Sequence, residues 1–571
     1  MNAIWIVVAG LVLYFAGYRF YAKYLAERIF KLDPNAPVPS REMEDGVDYI
    51  PTNRYVLFGH HFASIAGAAP IVGPAIAVIW GWFPAFLWVV LGAVFLGCVH
   101  DFSALILSVR RRGRSIGDLA GDIIGKKATT AYLVIMFFVV VLLMAIFLRL
   151  IAGLLMRYPE VVIPAAALIV IAIGIGLLIY RTKIGLGVAS IVGIILMLLS
   201  IWVGTKNPLV LSENLAVNTP FFTWVVMLAI YSFVASVLPV WLLLQPRDYL
   251  ESFKLYAGLI LLFVGIIVTR PEIVAPAIRP VVEGAPPIWP FLFVTIACGA
   301  LTGFHSIVAS GTTSKQLAKE TDATFVGYGA MAAESALALC AIIACTAGFV
   351  AVGGKTGRQL WMAHYGTWGS AAGLWEKVGA FVDGSAYFMS SLGIPETLGK
   401  TFMGLMIVAF AMTTLDSACR LGRYILAEFG RRRRMPFLTN GYIGSGLAAG
   451  IALLLALMPG TEGKSVGQLL WPLFGTTNQL LAALVFATVT VYLVKRKTAH
   501  WFISIPLVFV AITTISAMIW NIRQYIRKEN WILTVVGSII LLAAFYLIAL
   551  SCGSFMRVRA QVKAEGESTQ V

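Results

Sequence analysis

Long apolar stretches alternate with short polar ones along the whole chain. The apolar stretches are about 20 residues long and recur throughout the 571 residues, and a helix needs about 20 apolar residues to cross a bilayer. The pattern predicts fifteen membrane spans, with a further short segment at 384–392 that dips into the membrane without crossing it. The spans begin near residues 3, 56, 83, 129, 161, 184, 221, 255, 290, 325, 396, 438, 466, 499 and 531. The predicted fold class is an all-α polytopic membrane protein.

Two of these spans are interrupted at mid-length by small and polar residues. The first reads FGHHFASIAGAAPIVGPA over 58–75, where Pro70 and Pro74 remove backbone donors and Gly67 loosens the helix. The second reads CGALTGFHSIVASGTT over 298–313. Unpaired backbone groups cost several kcal/mol each in hydrocarbon, so such breaks persist only inside protein or beside a polar cavity. Paired discontinuous helices are typical of the binding site of a secondary transporter.

Composition and charge agree with a membrane domain. Hydrophobic residues make up 60% of the chain and charged residues 12%, and the formal net charge is +16. The basic clusters fall on loops that follow odd-numbered spans, which predicts an external N-terminus and a cytoplasmic C-terminus. No polar stretch is long enough to fold as a basic soluble domain, so the charge does not indicate nucleic-acid binding. The main basic clusters are Arg110, Arg111, Arg112 and Arg114, then Lys126 and Lys127, Arg431 to Arg434, Lys495 to Lys497, and Arg557, Arg559 and Lys563.

The chain is expected to form a single transmembrane domain over residues 1–560. Residues 561–571 form a short polar tail, predicted to be cytoplasmic and without stable structure. The six cysteines are scattered, mostly inside apolar segments, which indicates buried thiols and neither a disulfide framework nor a zinc site.

Ionisable residues inside spans are candidates for function because they are expensive to bury. His100 and Asp101 lie in the third span, His305 lies in the second break, and Glu334 lies deep in the tenth span. Each could bind a transported proton. His100 and Asp101 point about 100° apart on a helix, so we expect them to contact different partners. The alternative is that these residues are hydrogen-bonded anchors between helices.

The eleventh span carries the densest polar cluster. Thr413, Thr414, Asp416 and Ser417 supply oxygen atoms within about one turn, as a hard cation or a proton relay requires. Arg420 lies four residues after Asp416, and a pair between them would use up the carboxylate without any transport role.

Other polar residues have a simpler interpretation. His60 and His61, at the entrance of the first break, are expected to be interfacial or structural. Asn478 and Gln479 in the thirteenth span are expected to form hydrogen bonds between helices rather than to bind a ligand.

Five motifs together resemble one family. They are RYVLFGHHFASIAGAAPIVGPA (54–75), HDF (100–102) with SVRRRGRS (108–115), GFHSIVASGTTSKQL (303–317), TTLDSACR (413–420) and WPLFGTTNQLLAAL (471–484). In this order they are similar to the carbon starvation protein A family of bacterial inner-membrane transporters. The resemblance implies uptake of peptides, or of pyruvate in close relatives, when carbon is scarce and with protons as the driving ion. It also implies a LeuT-like inverted-repeat core, as in the amino acid, polyamine and organocation superfamily.

Carried over to this chain, the resemblance places the substrate between the two breaks, with helix N-termini facing a carboxylate. The hydroxyls of Thr413, Thr414 and Ser417 would then face carbonyls of the first break, where sodium-coupled relatives hold their ion. Counted from start to start, the second break comes seven spans after the first, against five in a plain LeuT core, so two added helices are expected between them. The implied substrate-binding residues are Ala66, Gly67, Ala68, Ala69 and Pro70 with Thr302, Gly303, Phe304, His305 and Ser306.

The expected function is secondary active import of short peptides or pyruvate, coupled to protons, in the bacterial cytoplasmic membrane. The expected partners are the substrate, H⁺ or Na⁺ and the lipid bilayer, with neither an enzymatic activity nor a cofactor. Four alternatives remain open: coupling to sodium, a nutrient sensor without net transport, a passive channel, and a redox protein with haem between His60 or His61 and His100.

Overall fold

The computed structural model describes residues 1–46, 48–181, 186–213, 216–239, 242–351, 353–369, 374–458 and 466–568. Within these ranges the chain is helical, and its only strand-like pairings are isolated bridges. The α-helices are α1 (Ile4–Ala16), α2 (Pro39–Glu42), α3 (Arg54–Ala66), α4 (Ala69–Ala77), α5 (Trp82–Leu87), α6 (Cys98–Val109), α7 (Ile116–Ile123), α8 (Lys126–Arg157), α9 (Val162–Arg181), α10 (Leu186–Lys206), α11 (Pro220–Val237), α12 (Leu244–Thr269), α13 (Ile288–Thr295), α14 (Phe304–Gly311), α15 (Gly329–Ala347), α16 (Gly357–Tyr365), α17 (Leu374–Ser390), α18 (Glu396–Arg433), α19 (Gly441–Leu457), α20 (Val466–Lys495), α21 (Trp501–Arg527) and α22 (Trp531–Ser568). Segments of π-helix at Gly17–Ala22, Leu25–Ile29, Trp88–Gly97 and Thr324–Tyr328 extend α1, α6 and α15.

These helices confirm the predicted fold class. Twelve helices in the described residues are long and apolar enough to cross a membrane, and the bent pair α3 and α4 makes a thirteenth span. The short apolar helix α19 and the broken pair α13 and α14 lie at the two remaining predicted spans. The largest difference between a predicted span start and the observed helix start is at α12, which begins at Leu244 rather than near residue 255.

Both predicted breaks are present, and they pack against each other. The first bends by 44° between α3 and α4. Gly67 there has a φ of +41°, which L side chains rarely adopt. The second is residues 296–303, between α13 and α14. A Cβ atom placed on Gly299 would lie 3.6 Å from the Cβ atom of Pro70, and one on Gly73 would lie 2.6 Å from the Thr295 carbonyl oxygen. Only glycine permits the second approach.

The core surrounds these breaks. The helices α8, α15, α18 and α20 bury most of their side chains against one another and against the broken pairs, whereas α1, α10 and α22 expose broad apolar faces. Exposed Leu, Ile, Val and Phe on the outer helices fit a surface solvated by lipid.

Two details differ from the sequence prediction. The apolar segment predicted at 384–392 belongs to the longer helix α17, which buries Val378, Phe381 and Phe388 against its neighbours. The re-entrant path of segment 384–392 stays a prediction. The tail is helical to Ser568 as a continuation of α22, so the predicted lack of structure is wrong there, and 569–571 lie outside the described residues. Five cysteines are buried as expected, and Cys552 is exposed.

Candidate functional site

Four ionisable side chains form a continuous buried chain beside the breaks. Asp101 bridges two histidines: one carboxylate oxygen lies 2.8 Å from Nδ1 of His100, and the other lies 2.6 Å from Nδ1 of His305. Nε2 of His305 lies 3.3 Å from a carboxylate oxygen of Glu334. All four side chains are fully buried. The expectation that His100 and Asp101 avoid each other is wrong, because the Asp101 carboxylate has two oxygens and contacts its neighbour with one of them.

This buried chain of four side chains connects three helices. His100 and Asp101 are on α6, His305 is the second residue of α14 directly after the second break, and Glu334 is on α15. The Glu334 oxygens and Nε2 of His305 make no aligned hydrogen bond within the described residues, although they approach to ion-pair distance. A proton can therefore be held at either end of the contact between His305 and Glu334. Because α14 begins at a break, a small movement of that half-helix would change this contact.

Asp416 belongs to a second buried cluster. Its carboxylate pairs with the guanidinium of Arg247 on α12 and accepts a hydrogen bond of 2.7 Å from the Tyr231 hydroxyl. Arg247 also donates to the Tyr231 oxygen. The alternative of a pair between Asp416 and Arg420 is not found in the described residues. Arg420 instead donates to the carbonyls of Ala235 and Leu238 at the end of α11. Asp416 is therefore held by a cation from a different helix.

The hydroxyls of α18 lie near the first break, as the resemblance implies. The Thr413 hydroxyl lies 3.5 Å from the carbonyl oxygen of Ala63 and 2.9 Å from that of Phe410. The Thr414 oxygen has no hydrogen-bond partner in the described residues and lies 2.8 Å from the position of a Cβ atom on Gly67. Ser417 lines a cavity together with His60 and Ser64 of α3, and its orientation toward carbonyls of the first break stays a prediction.

The N-terminus of α14 is already hydrogen-bonded. Backbone N–H of Phe304 donates to the Asn478 side-chain oxygen at 2.7 Å, and that of Gly303 donates to the Asn478 carbonyl at 3.1 Å. The Asn478 side chain also donates to Thr302. Gln479 donates to the Phe293 carbonyl at 2.8 Å. Both residues thus connect helices, as expected. These two backbone donors, however, are not free to face a carboxylate in this conformation.

The segments proposed to bind substrate are packed closed in the structure. Their members are buried in contact with other helices, including Ala66, Gly67, Ala68, Ala69 and Pro70 of the first break and Thr302, Gly303, Phe304, His305 and Ser306 of the second. They meet across the Gly299 and Pro70 contact.

Sequence analysis missed a set of buried charges at the start of α12. Asp248 accepts from Nδ1 of His60 at 2.9 Å, and Glu251 lies 2.6 Å from the Lys254 ammonium, with both members of the second pair fully buried. The prediction missed them because it starts the eighth span near residue 255, after these charges. Positions 247, 248, 251 and 254 lie at helical spacing and lead directly into the apolar run. This pattern predicts one charged face on a buried helix.

The two histidines of α3 are buried rather than interfacial. His60 pairs with Asp248, and Nδ1 of His61 lies 2.8 Å from the Thr313 hydroxyl. Both side chains connect α3 to neighbouring elements, which is the structural role that the sequence allowed.

Two adjoining cavities lead from the basic side of the protein toward this core. The outer one, here called the vestibule, has a volume of about 600 Å³. Its lining includes Arg114, Arg431 and Arg432 from the clusters predicted to be cytoplasmic. The inner one, here called the inner cavity, has a volume of about 30 Å³. Its lining includes His60, Ser64, Lys315, Ser417 and Arg420.

Comparisons with known proteins agree with the motifs. A family model described as Carbon starvation protein CstA matches residues 2–353 and 367–517. The pyruvate/proton symporter BtsT of Escherichia coli K12 is 33% identical over 583 residues, which cover 91% of this chain and 81% of the relative. The peptide transporter CstA of Bacillus subtilis 168 is 34% identical over 584 residues, which cover 96% of each chain.

The chain is also similar to solved transporter structures at low sequence identity. A mutant manganese transporter of Eremococcus coleocola matches with a TM-score of 0.47 and 11% identity, covering 90% of this chain and 99% of that one. MhsT in complex with L-phenylalanine matches with a TM-score of 0.44 and 14% identity, covering 86% and 99%.

The family model covers nearly the whole chain, and the relatives named as transporters align over almost all of it. This multi-pass membrane protein therefore belongs to the carbon starvation protein CstA family.

Proposed function

We propose that this protein imports small organic nutrients, either short peptides or pyruvate, across the bacterial cytoplasmic membrane together with protons. The observation that carries the proposal is the buried chain of His100, Asp101, His305 and Glu334, because it links titratable groups on two other helices to His305, directly after a helix break. Intramembrane acids and histidines of this kind mark proton relays in transporters.

The geometry suggests how proton and cargo are coupled. Asp101 fixes the orientation of the His305 ring through Nδ1, so Nε2 faces Glu334. A proton shared between His305 and Glu334 neutralises buried negative charge and favours the contact of His305 on α14 with Glu334 on α15. Loss of that proton leaves both carboxylates charged in a buried site, which favours a different position of the half-helix. Movement of α14 then alters access to the space between the breaks.

The relatives support this choice of cargo and ion. One is named a pyruvate/proton symporter and others are named peptide transporters. Both cargo classes carry a carboxylate at neutral pH. The LeuT-like organisation implied by the motifs is the arrangement in which paired broken helices alternate access to such a cargo.

The vestibule suggests which side is open. It lies among Arg114, Arg431 and Arg432, on the predicted cytoplasmic side, while the breaks themselves are packed closed. An inward-facing conformation, in which cargo leaves toward the cytoplasm, accounts for both features.

The proposal is tested by replacing Glu334 with Gln in purified protein reconstituted into liposomes. We expect Glu334→Gln to abolish accumulation of labelled pyruvate or dipeptide under an inward proton gradient, because the side chain no longer exchanges a proton. Counterflow exchange should continue, because it needs no net proton movement. Glu213→Gln, at an exposed loop position, is the matched control and should behave like the wild type.

Uphill uptake that survives intact in Glu334→Gln would show that this residue does not carry the coupling. Failure of the wild type to take up either labelled cargo under any gradient would count against transport as a whole and favour the sensor alternative.

Sodium coupling is the second candidate, and the position of α18 favours it. The Thr413 hydroxyl lies 3.5 Å from the Ala63 carbonyl, and the Thr414 hydroxyl, which has no hydrogen-bond partner in the described residues, lies beside Gly67, so oxygen ligands for a hard cation could converge there. Uptake that requires sodium and persists with a protonophore, and that is lost in Thr414→Val, would select this alternative over protons.

A further inference from the structure

Arg420 is a buried cation that has no acidic partner among the residues that the structure describes. The residue is 5% exposed, and its Nε atom has no hydrogen-bond partner within the described residues. The nearest acid along its own helix, Asp416, is paired with Arg247. No ion pair of Arg420 occurs in the part of the chain that the structure describes. Burial of an uncompensated charge costs several kcal/mol, so this guanidinium favours an anion.

The end of α11 compensates the charge only in part. Nη2 of Arg420 donates to the carbonyls of Ala235 and Leu238, where the helix dipole has its negative end. That end is equivalent to about half an elementary charge. These contacts hold the guanidinium in place, and they leave its Nε edge without a hydrogen-bond acceptor in the described residues. A rigidly held arginine with a free edge is suited to bind a carboxylate.

Arg420 lines the inner cavity together with Lys315. The Lys315 ammonium lies over the rings of Tyr49 and Tyr424, at 5.4 and 5.6 Å, and it forms no ion pair within the described residues. Asp48 also lines the cavity and contributes one negative charge. His60 is already paired with Asp248. The lining therefore has an excess of positive charge.

The cavity dimensions fit one end of an anion. A volume of about 30 Å³ is room for roughly two water-sized groups, which matches the two oxygens of a carboxylate. The vestibule shares Lys315, Gly311 and Tyr424 with the inner cavity, and its volume of about 600 Å³ can hold the remainder of a larger cargo.

We propose that Arg420 and Lys315 bind the carboxylate of the transported solute on the cytoplasmic side of the two breaks, and that they select anionic cargo. This inference rests on the proposed import function. It adds a site that differs from the space between the breaks and defines the cargo by a free carboxylate, shared by pyruvate and by the C-terminus of a peptide.

The first test uses the wild-type protein in liposomes and needs no variant. Uptake of labelled pyruvate is challenged with pyruvate and with pyruvamide, and uptake of labelled dialanine with dialanine and with its C-terminal amide. We expect the amides to compete at least about 10-fold more weakly, because they lack the charge that a cationic site recognises.

The second test assigns that discrimination to residues. Arg420→Gln should raise the KM for the acid about 10- to 100-fold and abolish the preference for acid over amide, because one charge-assisted contact is lost. Arg420→Lys keeps the charge and should retain part of the preference. Arg423→Gln is the matched control, since Arg423 lies on the same helix over the Tyr424 ring and does not line the inner cavity.

The outcomes separate the two proposals. Equal competition by acids and amides in the wild type would overturn the carboxylate site while leaving import intact, and so would an unchanged preference in Arg420→Gln. If Arg420→Gln does not fold, Lys315→Gln in the same competition assay decides between loss and retention of the preference.

If the wild type transports nothing, import fails and the site is tested separately. Pyruvate should then raise the melting temperature of the purified protein, and pyruvamide should not. Equal effects of the two compounds would overturn the site.

Discussion

The partner of Asp416 determines which cation of the core remains free, and a double-mutant cycle can identify it. Asp416→Asn removes the carboxylate charge and leaves Arg247 buried, where the two side chains are only 1% and 2% exposed. The hydrogen bond from Tyr231 can persist, because the Asn carbonyl still accepts it. The cost is therefore mainly that of an uncompensated buried cation, about 3 to 5 kcal/mol.

Arg247→Met alone should cost a similar amount, because it leaves the carboxylate unpaired. Combining the two substitutions removes both charges and should recover most of the loss, so the coupling energy should reach several kcal/mol. The matching cycle of Asp416→Asn with Arg420→Gln should show a coupling below about 1 kcal/mol, since Arg420 donates to the backbone carbonyls of Ala235 and Leu238 and forms no ion pair with Asp416 in the described part of the chain.

Free energies of unfolding for each variant are compared in mixed detergent micelles, with melting temperature as a second readout. A coupling between Asp416 and Arg420 that equals or exceeds the coupling with Arg247 would refute the pairing. It would also remove the basis for the carboxylate site, because Arg420 would then have its own acid.

Three further predictions concern the breaks and the basic side. Gly67→Ala should lower the melting temperature and abolish uptake, because it adds a Cβ atom at positive φ against an α18 hydroxyl, whereas Gly174→Ala, which meets open space, should be neutral in both assays. Asn478→Leu should destabilise the protein by about 1 to 3 kcal/mol in the same unfolding measurement, because it leaves the Phe304 N–H buried without its acceptor. Burial alone would raise the pKa of Asp118, but Arg114 and Arg432 hold that pKa below its ordinary value. The ionised Asp118 therefore stabilises the folded protein at pH values above about 3.9, and this contribution is lost as the pH falls through the lower pKa of the folded state. Asp118→Asn should therefore lower the free energy of unfolding by less than about 1 kcal/mol at pH 7, and the effect should vanish in acid or high salt.

Much of the architecture follows from local features of the sequence. The spans are predictable because hydrocarbon thickness fixes their length, and the two breaks are predictable because Pro70, Gly67 and the residues around Thr302 cannot sustain a helix. The interhelical role of Asn478 also follows, since a buried amide must find partners. The start of α12 was misplaced because hydropathy alone puts the beginning of a span after its charges. A helix can carry charges into the core when partners on other helices neutralise them, as Asp416 on α18 does for Arg247 on α12.

The sequence by itself determined which residues are expensive to bury, and the tertiary structure decided which of them meet. Asp101 and His305 are 204 residues apart, and Arg247 and Asp416 are 169 apart, so no local spacing could reveal either pair. Local spacing instead suggested a pair between Asp416 and Arg420, four residues apart on one helix. That pair does not form, because α12 packs on α18 and brings a second guanidinium to the carboxylate. A buried charge takes its partner from whichever helix lies against it, and the packing of distant helices sets that choice.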